Sequence, residues 1–497
     1  MSDVGGPRAG GRAASEVSAR PAASSAPFRL ASSLPYRRIA LVLSGGGALG
    51  AYEIGVLRVL ETLNLVPSLV VGVSIGAINA VAWLVAGRDA GPIENVWRTS
   101  SSEKLGVQWV SLALRVAGTF IAMMALLQTV LTLIGSDEFS GAHLFWRHQN
   151  PAWDLLSSQL DFFFWFGATV FGGFAVFFAR RIAAWLDRHA NSGRPEKARK
   201  RLLIVTGAAV GVHAVVGFMG WPWPHNFSAA VVILLAVAWT ASAPGNLGRW
   251  SRNLALGLMP DTGGRGLWSG RARRRILEGI VADGDPRAIW GSGTTLVVSA
   301  LAVDRGLVTH FVSWPEVDEA FERRIHDELG EVVHLKDPAD VVAAAIASSA
   351  IPGIFQPERV GGREFVDAGG FTNQPLHVAI ARDVDAVLVV LLSPSSPPDL
   401  ASPPADVVAL GSRLLELANW RDLQTELRHL PPGWSLEGSP ARVCVVEPPA
   451  PLPASPLQFD PARAAELIEA GRRDAWAALE RAGWLEASGL EPAPRAG

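Results

Sequence analysis

A chain of 497 residues has room for a large folded core plus additions, and a formal net charge of −2 excludes any overall attraction to nucleic acid. Hydrophobic residues make up 49% and charged residues only 18%, a balance that is high for a soluble enzyme and points to membrane segments. The single cysteine, Cys444, excludes an internal disulfide framework; it sits in the apolar run Val443–Val446 as a small core residue, and no Cys/His spacing suits a metal ion.

Residues 1–34 are rich in Ala, Ser, Gly, Arg and Pro without periodicity and read as a disordered tail. They lack the apolar stretch of a secretory signal, and a plain tail fits better than a transit peptide. Ile39–Ser44 and Leu69–Val73 are short apolar runs of the kind that form buried parallel strands. Each ends in a glycine-rich turn that opens a helical pattern, over Gly50–Asn64 and Ile75–Ala86. The first turn is Gly45-Gly46-Gly47. The second is Gly72-Val73-Ser74-Ile75-Gly76, which places Ser74 on a sharp strand-to-helix turn. Such a turn presents a hydroxyl nucleophile, Gly72 and Gly76 remove side chains that would clash, and the helix behind it favours negative charge. The nearby glycine run can turn N–H groups toward an oxygen that becomes negative during acyl transfer. On the motif alone, Ser74 is equally a loop serine; the strand–turn–helix setting favours the nucleophile. Asn79, on the second helix, reads as a satisfied core amide.

Four apolar segments follow: Val116–Ile134, Phe162–Ala179, Leu202–Gly220 and Phe227–Ala243, each of 17 to 19 residues without Asp, Glu, Lys or Arg. Buried core helices are one reading, but four of them would need a second core with almost no polar helix face. Bilayer spans are the better one. The loop Arg180–Arg201 carries eight basic residues against Asp187 and Glu196, whereas Gly135–Asp161 carries Arg147 against four acidic residues. With Arg115 before the first segment and Arg249 and Arg252 after the last, the positive-inside rule puts both flanks in the cytoplasm. Four spans also return the chain to the side it left. Trp109, Trp146, Trp153, Trp185, Trp221 and Trp223 lie near the segment ends, where indoles favour the headgroup zone. His213, inside the third segment, reads as a neutral side chain bonded to a neighbouring helix.

Beyond Gly266 a mixed pattern resumes. Helices are predicted over Arg271–Val281, Val341–Ser349, Val407–Leu430 and Ala462–Ala482, with charged helix or loop over Glu316–Gly330. Strands are predicted over Thr294–Val303, Glu364–Val366, Ala386–Leu392 and Val443–Val446. Asp367 follows the short strand and precedes Gly369-Gly370. A serine hydroxyl needs a base to attack an ester, and Asp367 is equally a candidate base or a turn cap on its residues alone. Only His377 and His429 follow it, and His377 reads as an ordinary helix-start residue, so a Ser-Asp-His triad is disfavoured.

The stretches SGGGALGAYEIGVLRVLE, GVSIGAINA, ASSAIPGIFQPERVGGREFVDAGGFTNQPL and IEAGRRDAWAALE resemble the patatin-like phospholipases, over Arg38–Leu105 and about Gly266–Leu485. The resemblance implies a three-layer α/β/α sandwich with a mostly parallel central sheet. It also implies a Ser74–Asp367 dyad, with Ser74 as nucleophile, Asp367 as base and an oxyanion hole at Gly45, Gly46 and Gly47. No cofactor and no metal are expected. Two residues depart from the family pattern: Leu49 where many members carry Arg or Lys, and Ala368 where many carry Gly.

The expected organisation is a tail over 1–34, a catalytic part over 35–105, an inserted all-α membrane region over 106–262, a second catalytic part over 263–487 and a tail over 488–497. The expected activity is hydrolysis of phospholipid or lysophospholipid esters by a bilayer-anchored protein. Acyl transfer to another alcohol and an idle membrane scaffold are the competing readings. The Ala, Arg, Gly and Pro richness fits a GC-rich bacterial genome, hence an inner-membrane protein with a cytoplasmic catalytic domain.

Overall fold

The computed structural model describes residues 28–105 and 266–487, apart from 103, 269, 292, 315, 329 and 397–406, together with short helical stretches between 118 and 215. The strands are β1 (Phe28–Leu30), β2 (Ile39–Leu43), β3 (Leu69–Val73), β4 (Thr295–Ala302), β5 (Val308–Val312), β6 (Gly330–His334), β7 (Glu358–Val360), β8 (Arg363–Asp367), β9 (Ala386–Val390), β10 (Val443–Val446) and β11 (Leu485–Ala487). The helices are α1 (Ala51–Thr62), α2 (Ile75–Val85), α3 (Gly91–Thr99), α4 (Arg271–Asp283), the single turn α5 (Ala288–Gly291), α6 (Glu319–Asp327), α7 (Pro338–Ser348), α8 (Leu376–Ala381), α9 (Val407–Arg428) and α10 (Pro461–Arg481).

Nine of these strands form one sheet, with the order β10-β9-β2-β3-β4-β5-β6, with β8 paired to β4 and β7 to β8. The pairs from β10 to β4 are parallel, as is β5–β6; β5 and β8 run antiparallel to β4. The central strands are buried on both faces, which is why they read as unbroken apolar runs. Alternate residues serve alternate layers. Ile39, Leu41 and Leu43 pack with residues of α1, α2, α7 and α10, whereas Ala40 and Val42 pack with residues of α6, α8 and α9. Helices therefore cover both faces of a mostly parallel sheet, as expected.

The position of β8 matters most for the site. Along one edge of β4, β3 pairs as far as Val73 opposite Ser299. Beyond that point β8 takes over from the other direction, with Asp367 opposite Ala300. The end of β3 and the end of β8 thus abut at neighbouring residues of β4, about 3.3 Å apart along the strand.

Several elements differ from expectation. Residues 28–34 lie within the stretch read as a tail, yet β1 pairs with β11, with Phe28 against Trp476 and Tyr36 against Trp484. Strands β5 and β6 were not expected, nor was α3; α8 begins at Leu376, where His377 reads as a helix start. In β5, His310 interrupts the apolar run; its ring nitrogen pairs with the Ser299 hydroxyl at 2.9 Å, which satisfies a polar group inside the sheet.

Among the described residues, no helix is long and apolar enough to cross a membrane. The four predicted spans fall largely outside the described residues, as do His213 and the tryptophans assigned to their ends. The described stretches within the first three are helical and expose Phe120, Phe166, Phe177 and Ile204. Two of them meet closely: a Cβ at Gly172 would lie 2.6 Å from the Gly118 carbonyl oxygen and 2.7 Å from the Ala122 nitrogen.

Candidate active site

Ser74 sits where β3 turns into α2, at φ 54° and ψ −122°, a left-handed conformation strained for any residue with a side chain. The turn is tight enough to require both flanking glycines. A Cβ at Gly72 would lie 2.6 Å from the Ala77 Cα, and one at Gly76 would lie 2.4 Å from the Leu43 carbonyl oxygen. The strain is held by α7: the Ser74 N–H donates to the Ser348 hydroxyl at 2.8 Å, and that hydroxyl donates to the Ser299 carbonyl at 2.7 Å. The N-terminus of α2 lies directly behind Ser74 and biases the site toward negative charge.

Asp367 closes β8 and is buried, as Ser74 is. Its N–H donates to the Ala350 carbonyl at 3.0 Å, and its carboxylate accepts the Gly369 N–H at 2.8 Å. The Ser74 hydroxyl is close enough to the same carboxylate to favour its charged form. Burial pushes the Asp367 carboxyl up to about 6, opposed by Ser74, by the Gly369 N–H and by the charge of Arg273. The two residues singled out in the sequence, 293 positions apart, are thus brought together by the abutting strands.

Arg273 is an addition that the sequence reading missed. The run Arg271-Ala272-Arg273-Arg274-Arg275 looks like a solvated helix face, yet Arg273 is 8% exposed. Its Nη1 donates to the carbonyl and hydroxyl oxygens of Ser349, and its guanidinium lies 3.6 Å from the centre of the Phe355 ring. Burial lowers its proton affinity to about 10, against the pull of Asp367 and Glu358. The available signal was spacing: Arg273, Leu277 and Val281 recur on one helix face, and all three are buried.

In the glycine turn the three amides are not equivalent. The Gly45 N–H donates to Asn373 Oδ1 at 3.0 Å, and Asn373 Nδ2 donates to the Gly45 carbonyl at 3.2 Å. Among the described residues, the Gly46 and Gly47 N–H groups have no hydrogen-bond partner. The Ala48 N–H is taken by the Pro456 carbonyl at 2.7 Å. Two free adjacent donors beside a buried serine are suited to an oxyanion.

The departures at 49 and 368 are both apolar side chains packed into the core. Ala368 is buried with Val73, Leu301 and Val366, and Leu49 packs against the core beneath α1. Asn79 is the satisfied amide expected of it, donating to the buried Glu53 at 2.7 Å and to the Gly50 carbonyl, and accepting from Trp97. His377 pairs with Glu426 and lies edge-on to His310, while His429 bonds the Thr425 carbonyl; among the described residues neither bonds Ser74 or Asp367. No group of His, Cys, Asp or Glu side chains among the described residues is disposed to hold a metal ion.

A parallel α/β sheet with these turns at the ends of its strands belongs to the hydrolase-like α/β class. The family model for patatin-like phospholipases matches residues 41–380, more than half of the chain, and the chain belongs to that family of lipid acyl hydrolases. Among solved structures, eleven chains match. One is the crystal structure of VipD from Legionella pneumophila, at 12% identity and a TM-score of 0.32, covering 92% of this chain and 70% of that one. No curated protein matches.

Proposed function

We propose that the protein is a membrane-anchored serine acyl hydrolase of the phospholipase A or lysophospholipase type, acting through Ser74 and Asp367. The observation that supports this most is the abutment of β3 and β8 on one edge of β4, with Val73 opposite Ser299 and Asp367 opposite Ala300. It brings a strained, buried hydroxyl to a carboxylate whose affinity for a proton is raised toward neutrality, and a base with that affinity suits proton abstraction.

In this reading Asp367 takes the Ser74 proton as Oγ attacks the ester carbonyl carbon. The tetrahedral oxyanion accepts hydrogen bonds from the Gly46 and Gly47 N–H groups, each worth roughly 3–4 kcal/mol in studied hydrolases. Collapse breaks the ester C–O bond, Asp367 returns its proton to the departing alcohol, and the acyl group stays on Ser74. Asp367 then takes a proton from a water as its oxygen bonds to the acyl carbon, and returns that proton to Ser74 Oγ as the Oγ–acyl bond breaks and the fatty acid leaves. Arg273 opposes excessive protonation of Asp367, because its buried positive charge favours the carboxylate.

The anchoring part of the proposal rests on the four apolar segments and the charge asymmetry of their loops. It places the catalytic domain on the cytoplasmic face of a bacterial inner membrane, where lipid ester reaches Ser74 without release into water. The test is fatty acid release from mixed phospholipid and lysophospholipid vesicles by detergent-purified protein. Release that disappears in both Ser74→Ala and Asp367→Asn supports the dyad. Release that persists in either variant refutes it.

A further inference from the structure

We propose that Asn373 is the positioning residue of the glycine turn: its side chain fixes that turn so that the Gly46 and Gly47 amides face the ester oxygen, and Asp422 on α9 sets Asn373 in place. The inference rests on the dyad reading above and assigns a role to a residue that exchanges no proton in it.

Among the described residues, the Asn373 carboxamide is the one side chain bonded to both backbone polar groups of Gly45, accepting at 3.0 Å and donating at 3.2 Å. A two-point clasp of this kind blocks rotation of the peptides on either side of Gly45. Its loss would leave a buried N–H and a buried carbonyl without partners. The same Asn373 Oδ1 also lies close to the other half of the site. A Cβ at Gly45 would lie 2.4 Å from it and 2.9 Å from the Ser74 Cβ. A Cβ at Gly369 would lie 2.9 Å from it and 3.1 Å from Asp367 Oδ1. One amide oxygen therefore sits between the glycine turn, the nucleophile turn and the turn that follows the base. Displacements of about 1 Å at such a place cost on the order of 100-fold in rate.

Asn373 is held in turn by the carboxyl-terminal part of α9. Its N–H donates to Asp422 Oδ2 at 3.0 Å; Gln374 Nε2 donates to the same oxygen at 3.3 Å and to the Asn419 carbonyl at 3.0 Å. A residue of α9 thus reaches the turn after β2 through one intermediary. The clasp also takes the Gly45 N–H out of the site and leaves the next two amides as the donors. The opposite function, a clasp that blocks the site by withholding the Gly45 N–H, predicts the opposite sign for its removal.

The experiment measures the rate at which an alkyl fluorophosphonate labels Ser74 of the full-length, detergent-purified protein, together with kcat and KM on a soluble short-chain ester. In labelling, Ser74 Oγ bonds to phosphorus, fluoride leaves, Asp367 takes the hydroxyl proton, and the phosphoryl oxygen occupies the oxyanion position. Asn373→Ala is expected to slow labelling and lower kcat by about 30- to 100-fold with KM within about threefold. Asp422→Asn is expected to lower both by about threefold, because its amide oxygen still accepts, but without charge. Labelling of Asn373→Ala at or above the wild-type rate overturns the proposal, and so does a variant whose only defect is a lower Tm. If Asn373→Ala does not fold, Asp422→Asn decides, and a wild-type labelling rate in it overturns the proposal. Wild-type protein that is not labelled, or a Ser74→Ala variant that is labelled equally, removes the dyad reading, and this inference falls with it.

Discussion

Asp367 and Asp422 are two inward-facing aspartates whose carboxyls are both pushed up to about 6, in each case chiefly by burial. Asp367 at the end of β8 meets a hydroxyl on a strained turn, a backbone N–H and the field of Arg273. Asp422 on α9 meets the Asn373 N–H, the Gln374 side chain and the repulsion of Glu426. Raised proton affinity is therefore common to both, and it does not identify the base. What separates them is the partner: a nucleophile in one region, the backbone of a loop in the other. A perturbed carboxylate marks a place where the fold has withdrawn water, and its neighbours decide what the place is for.

The sharpest way to break this comparison is to neutralise each in turn. Ser74→Ala and Asp367→Asn should each lower ester hydrolysis by about 10⁴-fold, whereas Asp422→Asn should spare all but a few-fold, as read by kcat/KM on a soluble ester. Equal losses at the two aspartates would erase the distinction. The pH profile comes next. With Asp367 titrating at about 6 and needed as the carboxylate, kcat/KM should fall about tenfold per pH unit below 6 and level off above it. Arg273→Met removes a charge that favours the carboxylate, so this limb should move to higher pH; Arg273→Lys should leave it closer to its place.

Stability should move in the other direction from activity. The Asp367 carboxyl is raised above its ordinary value of 3.8, so between about pH 4 and 6 the folded chain binds this proton more tightly than the unfolded chain. The contribution of Asp367 to stability is therefore full below pH 4 and is lost as pH rises through 6. Asp367→Asn should raise stability at pH 8 by at most about 3 kcal/mol and change little at pH 4, as measured by chemical denaturation at the two pH values. The smallest activity effect belongs to the histidines. His377→Ala and His429→Ala should each keep kcat/KM within about threefold, while His377→Ala loses about 1–3 kcal/mol of stability because Glu426 keeps the backbone N–H of residue 377 but loses the imidazole.

Much of this molecule was legible in its sequence, for identifiable reasons. Strands β2, β3 and β9 are buried on both faces and so carry uninterrupted apolar runs, and the two glycine turns announce themselves because no other residue fits there. Ser74 and Asp367 were found from those turns and from the family resemblance. Strand β5 was missed because Thr309 and His310 lie inside it, buried and satisfied by partners on β6 and β4 that only the fold supplies. Strand β6 was missed because Glu331 and His334 make it look like loop. Arg273 was hidden in a basic run, and Asn373 gave no signal beyond an amide shortly before Pro375, because what it clasps lies 328 positions away.

The abutment of β3 and β8 on β4 makes the spacing of nucleophile and base a matter of sheet register. Strand pairing admits only whole steps, and each step turns every side chain to the opposite face. A slip of β8 by one residue along β4 would carry Asp367 about 3.3 Å and turn its carboxylate away from Ser74. The geometry of the site is thus quantised. Small strains elsewhere in the chain cannot tune the distance gradually, and long additions between the two halves leave it unchanged as long as the ladder holds. This separation of a fixed ruler from a variable connection explains how more than 150 residues can stand between α3 and α4 without disturbing the pair that β4 aligns.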